Sequence, residues 1–380
     1  MKRSQRASRP GIASVTVEDV ARVAGVSRAT VSRVINGSPR VSPEARLAVT
    51  QAIEELRYVP NPAARMLMTR RSDSVGVVIL ESANRLFEDP YFNQLLLGIS
   101  AGLADHDIQL VLLIAQSAQE EQRLERYIAA RHVDGAMIIG PRGDDELPRR
   151  LVERGVPIVV NGRPAGEDAL NGARSLSYVD VENREGARAA VIHLASGGRR
   201  RIATIHGLLD LASGQDRLSG YRLGLQDAGL KLDSGLEAGG GYMPGDAADA
   251  MRALLARRPD LDAVFAASDA MAAAAIGVLL DGGRRVPEDV AVVGFDDSPI
   301  AVSVRPALTT VRQPIAAMGR ELADLLMRQI SSPAGAPRRV IFPTELIVRE
   351  SSAAVAASPG ARLAPQGAVA PTPSPPGART

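Results

Sequence analysis

TVEDVARVAGVSRATVSRVIN, residues 16–36, has the pattern of two short helices around a tight turn. Thr16, followed three residues later by Asp19, has the form of a capping box, which predicts that the first helix begins here. Gly25 interrupts the apolar periodicity, and Ser27 can cap a second helix. Because small residues near the turn let two helices cross closely, the segment is predicted to fold as a helix-turn-helix.

The second helix would expose a polar face that suits a DNA groove. Its long side chains can reach base edges in a major groove, while hydroxyl and amide groups reach phosphates. An ordinary helical hairpin with a solvated basic face is the alternative that this pattern leaves open. The candidate DNA-contacting residues of the segment are Thr16, Ser27, Arg28, Ala29, Thr30, Ser32, Arg33 and Asn36.

A third helix is predicted to follow the motif. The tripeptide SPE at 42–44 supplies a capping hydroxyl, a proline at the first helical position and a carboxylate in the first turn. Leu47, Ile53 and Leu56 are expected to form the apolar face of this helix. The amino-terminal part is therefore predicted to be all-α.

Charge is divided unevenly along the 380 residues. The whole chain has 45 Lys and Arg against 43 Asp and Glu, but residues 1–71 hold 13 against 5, a net charge of +8. The remainder carries −6. Such asymmetry indicates a nucleic-acid or membrane partner for the basic part. No stretch approaches eighteen consecutive apolar residues, so we expect no membrane partner.

Composition excludes several catalytic chemistries. The absence of cysteine excludes disulfides, thiolate zinc sites and Cys nucleophiles, and the four histidines lack metal-ligand spacing, so no cofactor or metal is expected. The pattern G-x-S-x-G at 98–102 lies inside a predicted helix rather than at a strand-to-helix turn, which argues against a hydrolase. The first twenty residues lack the apolar stretch of a secretory signal. We therefore expect a cytoplasmic, nucleoid-associated protein without enzymatic activity.

From residue 74 onward, short apolar runs alternate with helical patterns, which predicts parallel sheets with helices on both faces. The predicted strands are 75–80, 109–115, 136–139, 158–160, 202–205, 263–266 and 290–293. The predicted helices are 92–104, 119–131, 184–195, 217–228, 247–256 and 271–280. These strand and helix units are more numerous than a single sheet usually holds, so two similar subdomains are expected.

Residues 16–69 resemble the headpiece of LacI/GalR transcriptional regulators, and this part ends in YVPNPAARML at 58–67. In that family the last segment is a hinge helix that becomes ordered when a dimer binds operator DNA, and the leucine that matches Leu67 inserts into the minor groove. An apolar wedge of this kind bends DNA toward further protein contacts. The hinge contacts implied by the resemblance are Asn61, Ala64, Arg65 and Leu67.

The same resemblance places Arg28, Ala29 and Arg33 where the family reads bases. Ala29 can offer only an apolar contact, so Arg28 and Arg33 should dominate direct readout.

The resemblance continues to about residue 352 through YVDVENREGA at 178–187, DRLSGYR at 216–222, VPEDVAVVGFDD at 286–297 and LTTVRQP at 308–314. It implies an α/β periplasmic-binding-protein-like core, in which two doubly wound parallel-sheet subdomains are joined by three crossings. The expected division is a flexible basic arm at 1–14, a DNA-binding domain at 15–59, hinge helix and linker at 60–73, a first subdomain at about 74–174 and 313–334, a second at about 175–312 and 335–352, and a disordered tail at 353–380.

Ligands of such sheets lie beyond the carboxyl ends of the strands. Arg217 matches the position where the family holds ligand oxygens, and Asp296 matches a second ligand position. Sugars often stack on aromatic rings, and the aromatic residues near predicted strand ends are candidates for this role: Phe87, Tyr91, Tyr242 and Phe295. Ser268 replaces the longer asparagine that is usual in the family. The effector-binding residues expected from the resemblance are Asp89, Tyr91, Phe92, Arg163, Arg217, Tyr242, Ser268, Asp269, Phe295 and Asp296.

The function implied is that of a homodimeric regulator, favoured as a repressor, which binds pseudo-palindromic double-stranded operator DNA and leaves it when a sugar binds the core. Residues 161–164, 177–180 and 212–215 resemble an actinobacterial branch that senses cellobiose and other plant-derived disaccharides or short oligosaccharides. A sugar-binding protein of a transport system is the alternative, since it would share the core fold. Such a protein would not need residues 16–69.

Overall fold

A computed structural model of the chain describes residues 15–35, 37–59, 71–143, 145–164, 176–332 and 335–353. In residues 15–59, here called the headpiece, the described residues form helices and no strands. Residues 71–353, here called the core, contain two α/β subdomains. The expected fold class, a helical headpiece followed by two doubly wound subdomains, is confirmed.

Local capping groups begin the headpiece helices α1 (Val17–Val23), α2 (Arg28–Ile35) and α3 (Pro43–Leu56). The predicted capping box is present, because Thr16 Oγ1 accepts from the Asp19 amide at 3.3 Å and Asp19 Oδ2 accepts from the Thr16 amide at 3.0 Å. At α2, Ser27 Oγ accepts from the Thr30 amide at 3.1 Å.

The headpiece core is a small apolar cluster in which Val20, Val31 and Val49 are completely buried. The expected face of α3 was partly wrong, because Leu47 is 60% exposed and Val49 takes its place in the core. Ile53 and Leu56 pack against the cluster as expected, though only partly buried. The packing of α1 and α2 therefore fixes which side of α3 faces inward.

The core alternates strands and helices. Its strands are β1 (Ser74–Ile79), β2 (Gln109–Ile114), β3 (Ala136–Ile139), β4 (Ile158–Asn161), β5 (Ser177–Val181), β6 (Ile202–His206), β7 (Glu237–Gly239), β8 (Ala263–Ala266), β9 (Ala291–Asp296), β10 (Thr309–Arg312), β11 (Arg339–Phe342) and β12 (Glu345–Ile347). Its helices are α4 (Ala83–Glu88), α5 (Pro90–Ala104), α6 (Ala118–Ala129), α7 (Leu147–Glu153), α8 (Asn183–Ser196), α9 (Ala212–Asp227), α10 (Pro244–Arg257), α11 (Asp269–Asp281), α12 (Pro299–Ser303) and α13 (Ile315–Ser331). The strands and helices predicted from the sequence are all present, with their ends shifted by a few residues.

Two six-stranded sheets organise these elements. The first has the order β11-β5-β4-β3-β1-β2 and is parallel throughout. The second has the order β12-β10-β9-β8-β6-β7, in which only β12 runs antiparallel. The inner strands are buried because helices cover both faces of each sheet, whereas the edge strands β2, β7, β11 and β12 are partly exposed.

The chain crosses between the subdomains three times, as expected, but two crossings lie later than predicted. Strand β5 pairs with β4, and β11 pairs with β5, so both belong to the first sheet. The boundaries expected at about 175 and 335 therefore fall after Val181 and between Phe342 and Glu345. The third crossing lies between β10 and α13.

Helix α5 packs closely against α13. A Cβ at Gly98 would lie 2.2 Å from the Ala316 carbonyl oxygen, and one at Gly319 would lie 2.4 Å from that of Leu95. Glycine is therefore required for this approach. Ser100 of the G-x-S-x-G pattern lies within α5, so it has no strand-to-helix turn of a nucleophile elbow. Across the described ranges, no helix is long and apolar enough to cross a membrane.

Candidate effector cleft and DNA-reading helix

A cleft lies between the two subdomains, beyond the carboxyl ends of the strands of both sheets, and its space, including the open mouth, is about 740 Å³. Gly140 follows β3, Asn161 ends β4, and Asp180 lies near the end of β5. From the second sheet, Ser268 follows β8 and Asp296 ends β9. The fold therefore gathers polar side chains that are far apart in the sequence.

Arg217 forms the centre of the second-subdomain wall. It is 5% exposed, its Nε donates to Asn183 Oδ1 at 2.9 Å, and its Nη1 donates to the Ala267 carbonyl at 2.6 Å. Its Nη1 also lies 3.5 Å from Asp296 Oδ1, and its guanidinium carbon lies 3.6 Å from the centre of the Phe295 ring. These contacts hold the guanidinium in one orientation at the cleft surface.

Asp296 is the buried carboxylate of this wall. Its Oδ1 accepts from Gln313 Nε2 at 2.6 Å, and its backbone has a φ of 121°, which is rare for a residue with a side chain. Burial raises the pKa of the Asp296 carboxyl well above its ordinary value, with Arg217 acting in the opposite direction and Asp269 and Asp89 adding to the rise. A buried carboxyl of this kind needs hydrogen-bond partners.

The first-subdomain wall carries aromatic rings. Tyr91 donates from its hydroxyl to Asn161 Oδ1 at 2.7 Å, and its ring packs edge-on to Phe92 at 5.7 Å between centroids. Asp89 caps α5 by accepting from the Tyr91 amide at 3.0 Å. Burial raises the pKa values of the Asp89 carboxyl and the Tyr91 hydroxyl. Flat rings beside hydrogen-bonding groups suit the faces and hydroxyls of a sugar.

Tyr242 supplies a ring from the second subdomain. Its hydroxyl lies 3.1 Å from Ser213 Oγ, and its backbone has a φ of 65°. A Cβ at residue 207 would lie 2.1 Å from this ring, so Gly207 is needed to seat it.

Ion pairs join the two subdomains at the edge of the cleft. Arg142, after β3, pairs with Asp210, after β6, and the Gly143 amide donates to the Asp210 carbonyl at 2.9 Å. Arg163 pairs with Asp216 at 3.0 Å. These contacts hold the subdomains together over the cleft.

Eight of the ten predicted effector residues line the cleft: Asp89, Tyr91, Phe92, Arg163, Arg217, Tyr242, Ser268 and Asp296. Asp269 and Phe295 do not. Asp269 is fully buried and accepts from the Ser298 amide at 2.7 Å and from Thr310 Oγ1 at 2.5 Å, while Phe295 packs in the core beneath Arg217. Phe87 is 67% exposed and lies outside the cleft, so it is not a stacking residue there.

Several lining residues were not predicted as effector contacts. Asn161, Asp180, Asn183 and Gln313 stood in the quoted motifs, and their positions at or just after strands or crossings could have indicated them. Glu81 and Arg85 stood in no motif. The polar lining residues that were missed are Glu81, Arg85, Asn161, Asp180, Asn183, Ser213 and Gln313.

The DNA-reading candidates that the structure describes lie at the start and along one side of α2. Arg28, Ala29 and Arg33 are exposed, and Arg28 Nη1 lies 3.0 Å from Glu18 Oε1. Ser27 and Thr30 hydroxyls lie 2.9 Å apart. Thr16 is exposed and Ser32 is half-buried. The remaining candidates lie outside the described residues: Asn36, Asn61, Ala64, Arg65 and Leu67.

A helix-turn-helix with exposed arginines, joined to a two-subdomain core with a polar cleft, defines a ligand-responsive DNA-binding regulator. Residues 16–61 match the family described as bacterial regulatory proteins, lacI family, and residues 191–352 match the periplasmic binding protein-like domain. The chain is 48% identical over 336 residues to the HTH-type transcriptional regulator CelR of Thermobifida fusca. This alignment covers 88% of this chain and 98% of that protein. It is 32% identical over 344 residues to the ribose operon repressor of Escherichia coli K12, covering 89% and 99%.

The chain is also similar to solved structures of transcriptional regulators. A CelR–cellobiose complex matches with a TM-score of 0.70 and 47% identity, and the lac repressor dimer bound to operator and the anti-inducer ONPF matches with 0.78 and 26%. Each match covers 89% of this chain and 99% of the other. The chain belongs to the LacI family of bacterial regulatory proteins. It is a cytoplasmic transcriptional regulator and not an enzyme, as the sequence predicted.

Proposed function

We propose that the chain represses transcription and leaves its operator when a neutral disaccharide or short oligosaccharide of the cellobiose class binds in the cleft. The observation that carries this proposal is the buried pair of Arg217 and Asp296 at the cleft surface. A planar guanidinium and a carboxylate together can donate to and accept from neighbouring sugar hydroxyls. Similarity to CelR, solved with cellobiose, supports a β-linked glucose disaccharide.

The two walls of the cleft contribute different groups to sugar binding. Arg217, Asp296 and Ser268 bind hydroxyls from the second subdomain. The rings of Tyr91, Phe92 and Tyr242 pack against the sugar, and Asp89 and Arg163 add polar contacts. Asp269 and Phe295 act from behind the wall, by holding the Ser298 loop and supporting the Arg217 guanidinium.

On DNA, Arg28 and Arg33 read base edges in a major groove, Ala29 offers an apolar contact, and the hydroxyls of Thr16, Ser27, Thr30 and Ser32 reach phosphates. Asn36 and the hinge residues Asn61, Ala64, Arg65 and Leu67 complete the interface, with Leu67 as the minor-groove wedge. Two headpieces of a homodimer bind two half-sites of a pseudo-palindromic operator. The protein is then nucleoid-associated through residues 15–59 and the hinge and linker at 60–73.

The mechanism is a shift between two states of the core. One state holds the paired headpieces at the half-site spacing, and the sugar binds the other state more tightly. By linkage, cellobiose must weaken operator binding by the same factor as operator weakens cellobiose binding.

The effect of cellobiose on operator affinity tests the proposed function. A tight-binding duplex is first selected from a random-sequence library, and its affinity for the full chain is then measured by fluorescence anisotropy with increasing cellobiose. We expect a saturable loss of affinity, with maltose, the α-linked isomer, as the matched control. An operator affinity that no disaccharide changes would contradict induction, and a response to maltose alone would contradict the cellobiose class.

A further inference from the structure

Arg85 is a buried arginine of the cleft that no motif indicates. It lies on α4, is 8% exposed, and its Nη1 donates to Glu81, four residues earlier. Glu81 Oε2 also lies 3.4 Å from Arg142 Nη2, and Arg142 pairs with Asp210 of the second subdomain. Arg85 is thus one end of a chain of ion pairs that spans the cleft.

The Nε–H of Arg85 is buried and has no hydrogen-bond partner in the described part of the chain. An unmet donor on a charged group is costly to bury, so a built site normally supplies it with an acceptor. The only lining group bonded to this guanidinium is Glu81, at a different nitrogen. Among the described residues the Nε–H is therefore left without an acceptor, on a side chain that lines the cleft.

The surroundings of Arg85 indicate what kind of ligand this is. Its guanidinium carbon lies 5.6 Å from the Phe92 ring centre and 4.8 Å from that of Tyr242, so rings from both subdomains flank it. Asn161 Nδ2, in the same cleft, is a second buried donor without a partner among the described residues. Two unmet donors require acceptor oxygens, which sugars offer as hydroxyl, ring and glycosidic oxygens.

The charges of the lining argue for a neutral ligand. Arg85 is already paired with Glu81, Arg163 with Asp216 and Arg217 with Asp296. No arginine of these pairs is left to balance a phosphate, and the lining carboxylates Asp89 and Asp180 would repel one. A sugar phosphate is therefore disfavoured against the unphosphorylated sugar.

We propose that Arg85 is an effector-binding residue that donates its Nε–H to an acceptor oxygen of a neutral sugar, with the Asn161 amide as a second donor. This assignment rests on the proposed function and adds a specificity determinant to the same cleft. It differs from a purely structural role, in which Arg85 only neutralises Glu81.

Two substitutions separate these roles. Arg85→Gln keeps an amide donor at the position of Nε, since both atoms follow Cδ, but it loses the charge. Arg85→Lys keeps the charge for Glu81 but has a methylene at that position. If Arg85 binds the sugar, the glutamine variant should retain sugar affinity better than the lysine variant. A structural role predicts the opposite order.

Isothermal titration calorimetry of the full chain with cellobiose, cellotriose and glucose 6-phosphate measures this order. We expect wild-type binding to the neutral sugars only, a loss of about ten-fold or more for Arg85→Lys, as for a hydrogen bond from a charged group, and a loss within about three-fold for Arg85→Gln. Arg285→Lys is the matched control, because Arg285 is exposed and pairs with Asp289 four residues away. Its affinity should be unchanged.

Thermal unfolding without sugar reports whether each variant folds. If Arg85→Lys does not fold, the comparison of Arg85→Gln with Arg85→Leu, which has no donor, takes its place. Equal losses in the donor-containing and donor-free variants, or the reverse order, would overturn the role of Arg85 while leaving the proposed function intact. Tighter binding of glucose 6-phosphate than of cellobiose would overturn the neutral-sugar assignment. Absence of wild-type binding to both neutral sugars would overturn this inference and the proposed function together.

Discussion

The headpiece and the cleft use arginine in opposite ways. The Arg28 side chain is 73% exposed and meets one surface carboxylate, whereas that of Arg217 is 6% exposed and meets an amide, a carbonyl, a carboxylate and an aromatic ring. DNA is a long polyanion that a protein reads from outside, so flexible exposed side chains suffice. A small neutral ligand offers only hydrogen bonds and faces, so its site must be enclosed and preorganised.

The two regions also differ in how their carboxylates are stabilised. In the headpiece, hydrogen bonds from Thr16 lower the pKa of Asp19, a carboxylate at the surface. In the cleft, burial raises the pKa values of Asp89, Asp180 and Asp296. Local capping thus stabilises the charged form in one region, while enclosure disfavours it in the other.

Removal of the Arg217 guanidinium should have the largest effect on stability and on sugar binding. It should leave DNA binding by the headpiece unaffected. Arg217→Ala leaves Asp296 buried without its cation, so we expect the free energy of unfolding of the core to fall by about 3–5 kcal/mol. Cellobiose binding should be lost, while operator affinity without sugar changes little. Calorimetry, urea unfolding and anisotropy measure these quantities, with the exposed Arg184→Ala as control. A variant that still responds to cellobiose would show that this contact is dispensable.

Asp269 of the core and Asp19 of the headpiece should contribute to the pH dependence of stability with opposite signs. Burial raises the pKa of Asp269 from 3.8 to about 7, so between these values the folded core keeps a proton that the unfolded chain has released. The free energy of unfolding should therefore fall as the pH rises from about 4 to 7, by up to about 1.4 kcal/mol per pH unit for this carboxyl. The lowered pKa of Asp19 acts the other way, and its contribution is lost on acidification.

Asp269→Asn tests this sign. The variant keeps one acceptor oxygen and replaces the other by an amide donor at every pH, so the informative quantity is the slope. Urea unfolding followed by circular dichroism at pH 5 and pH 7 should give a smaller difference than in the wild type. An unchanged slope would assign the pH dependence to other buried carboxyls.

Arg33→Ala tests the headpiece alone. Loss of a base contact should reduce affinity for the selected operator by about 1–3 kcal/mol and relax specificity at one position. The response to cellobiose should be unaffected. Anisotropy on cognate and random duplexes, with Arg252→Ala of the core as charge-matched control, checks this outcome. An equal loss on both duplexes would assign Arg33 to phosphate.

The smallest effect is expected at the Glu18–Arg28 pair. Glu18→Gln frees Arg28 from an exposed ion pair, and such pairs contribute little, so operator affinity should rise by about two- to five-fold at low salt. The gain should vanish at high salt because exposed charges are screened. A loss of affinity would mean that Glu18 positions Arg28 for the groove.

The headpiece was predictable from its residues because its signals are local. A hydroxyl and a carboxylate three positions apart defined the start of α1, and Ser42 and Pro43 defined that of α3. What failed was the inward face of α3. Leu47 is the larger apolar residue, but only the contacts of α1 and α2 decide that Val49 is buried instead.

The cleft residues were predictable mainly by resemblance. The predictions that were wrong concern residues whose side chains point away from the cleft while those of their sequence neighbours line it. Asp296 faces the cleft while Phe295, the residue before it on β9, packs in the core. Ser268 lines the cleft, whereas Asp269, at the first position of α11, turns toward Thr310. The sequence did not indicate Arg85, because Glu81 and Arg85, four residues apart, have the spacing of an ordinary ion pair on a helix, and only the fold brings the Tyr242 ring against Arg85.

The contacts that Arg142 and Gly143 make with Asp210 have a kinetic consequence. Because they hold the subdomains together over the cleft, we expect the rate at which these contacts break to contribute to the residence time of a bound sugar. Weakening them speeds both entry and exit, even where the equilibrium affinity hardly changes. We then expect the protein to rebind its operator sooner after the sugar is consumed. These contacts at the edge of the cleft would thus influence how long transcription continues after the sugar is gone.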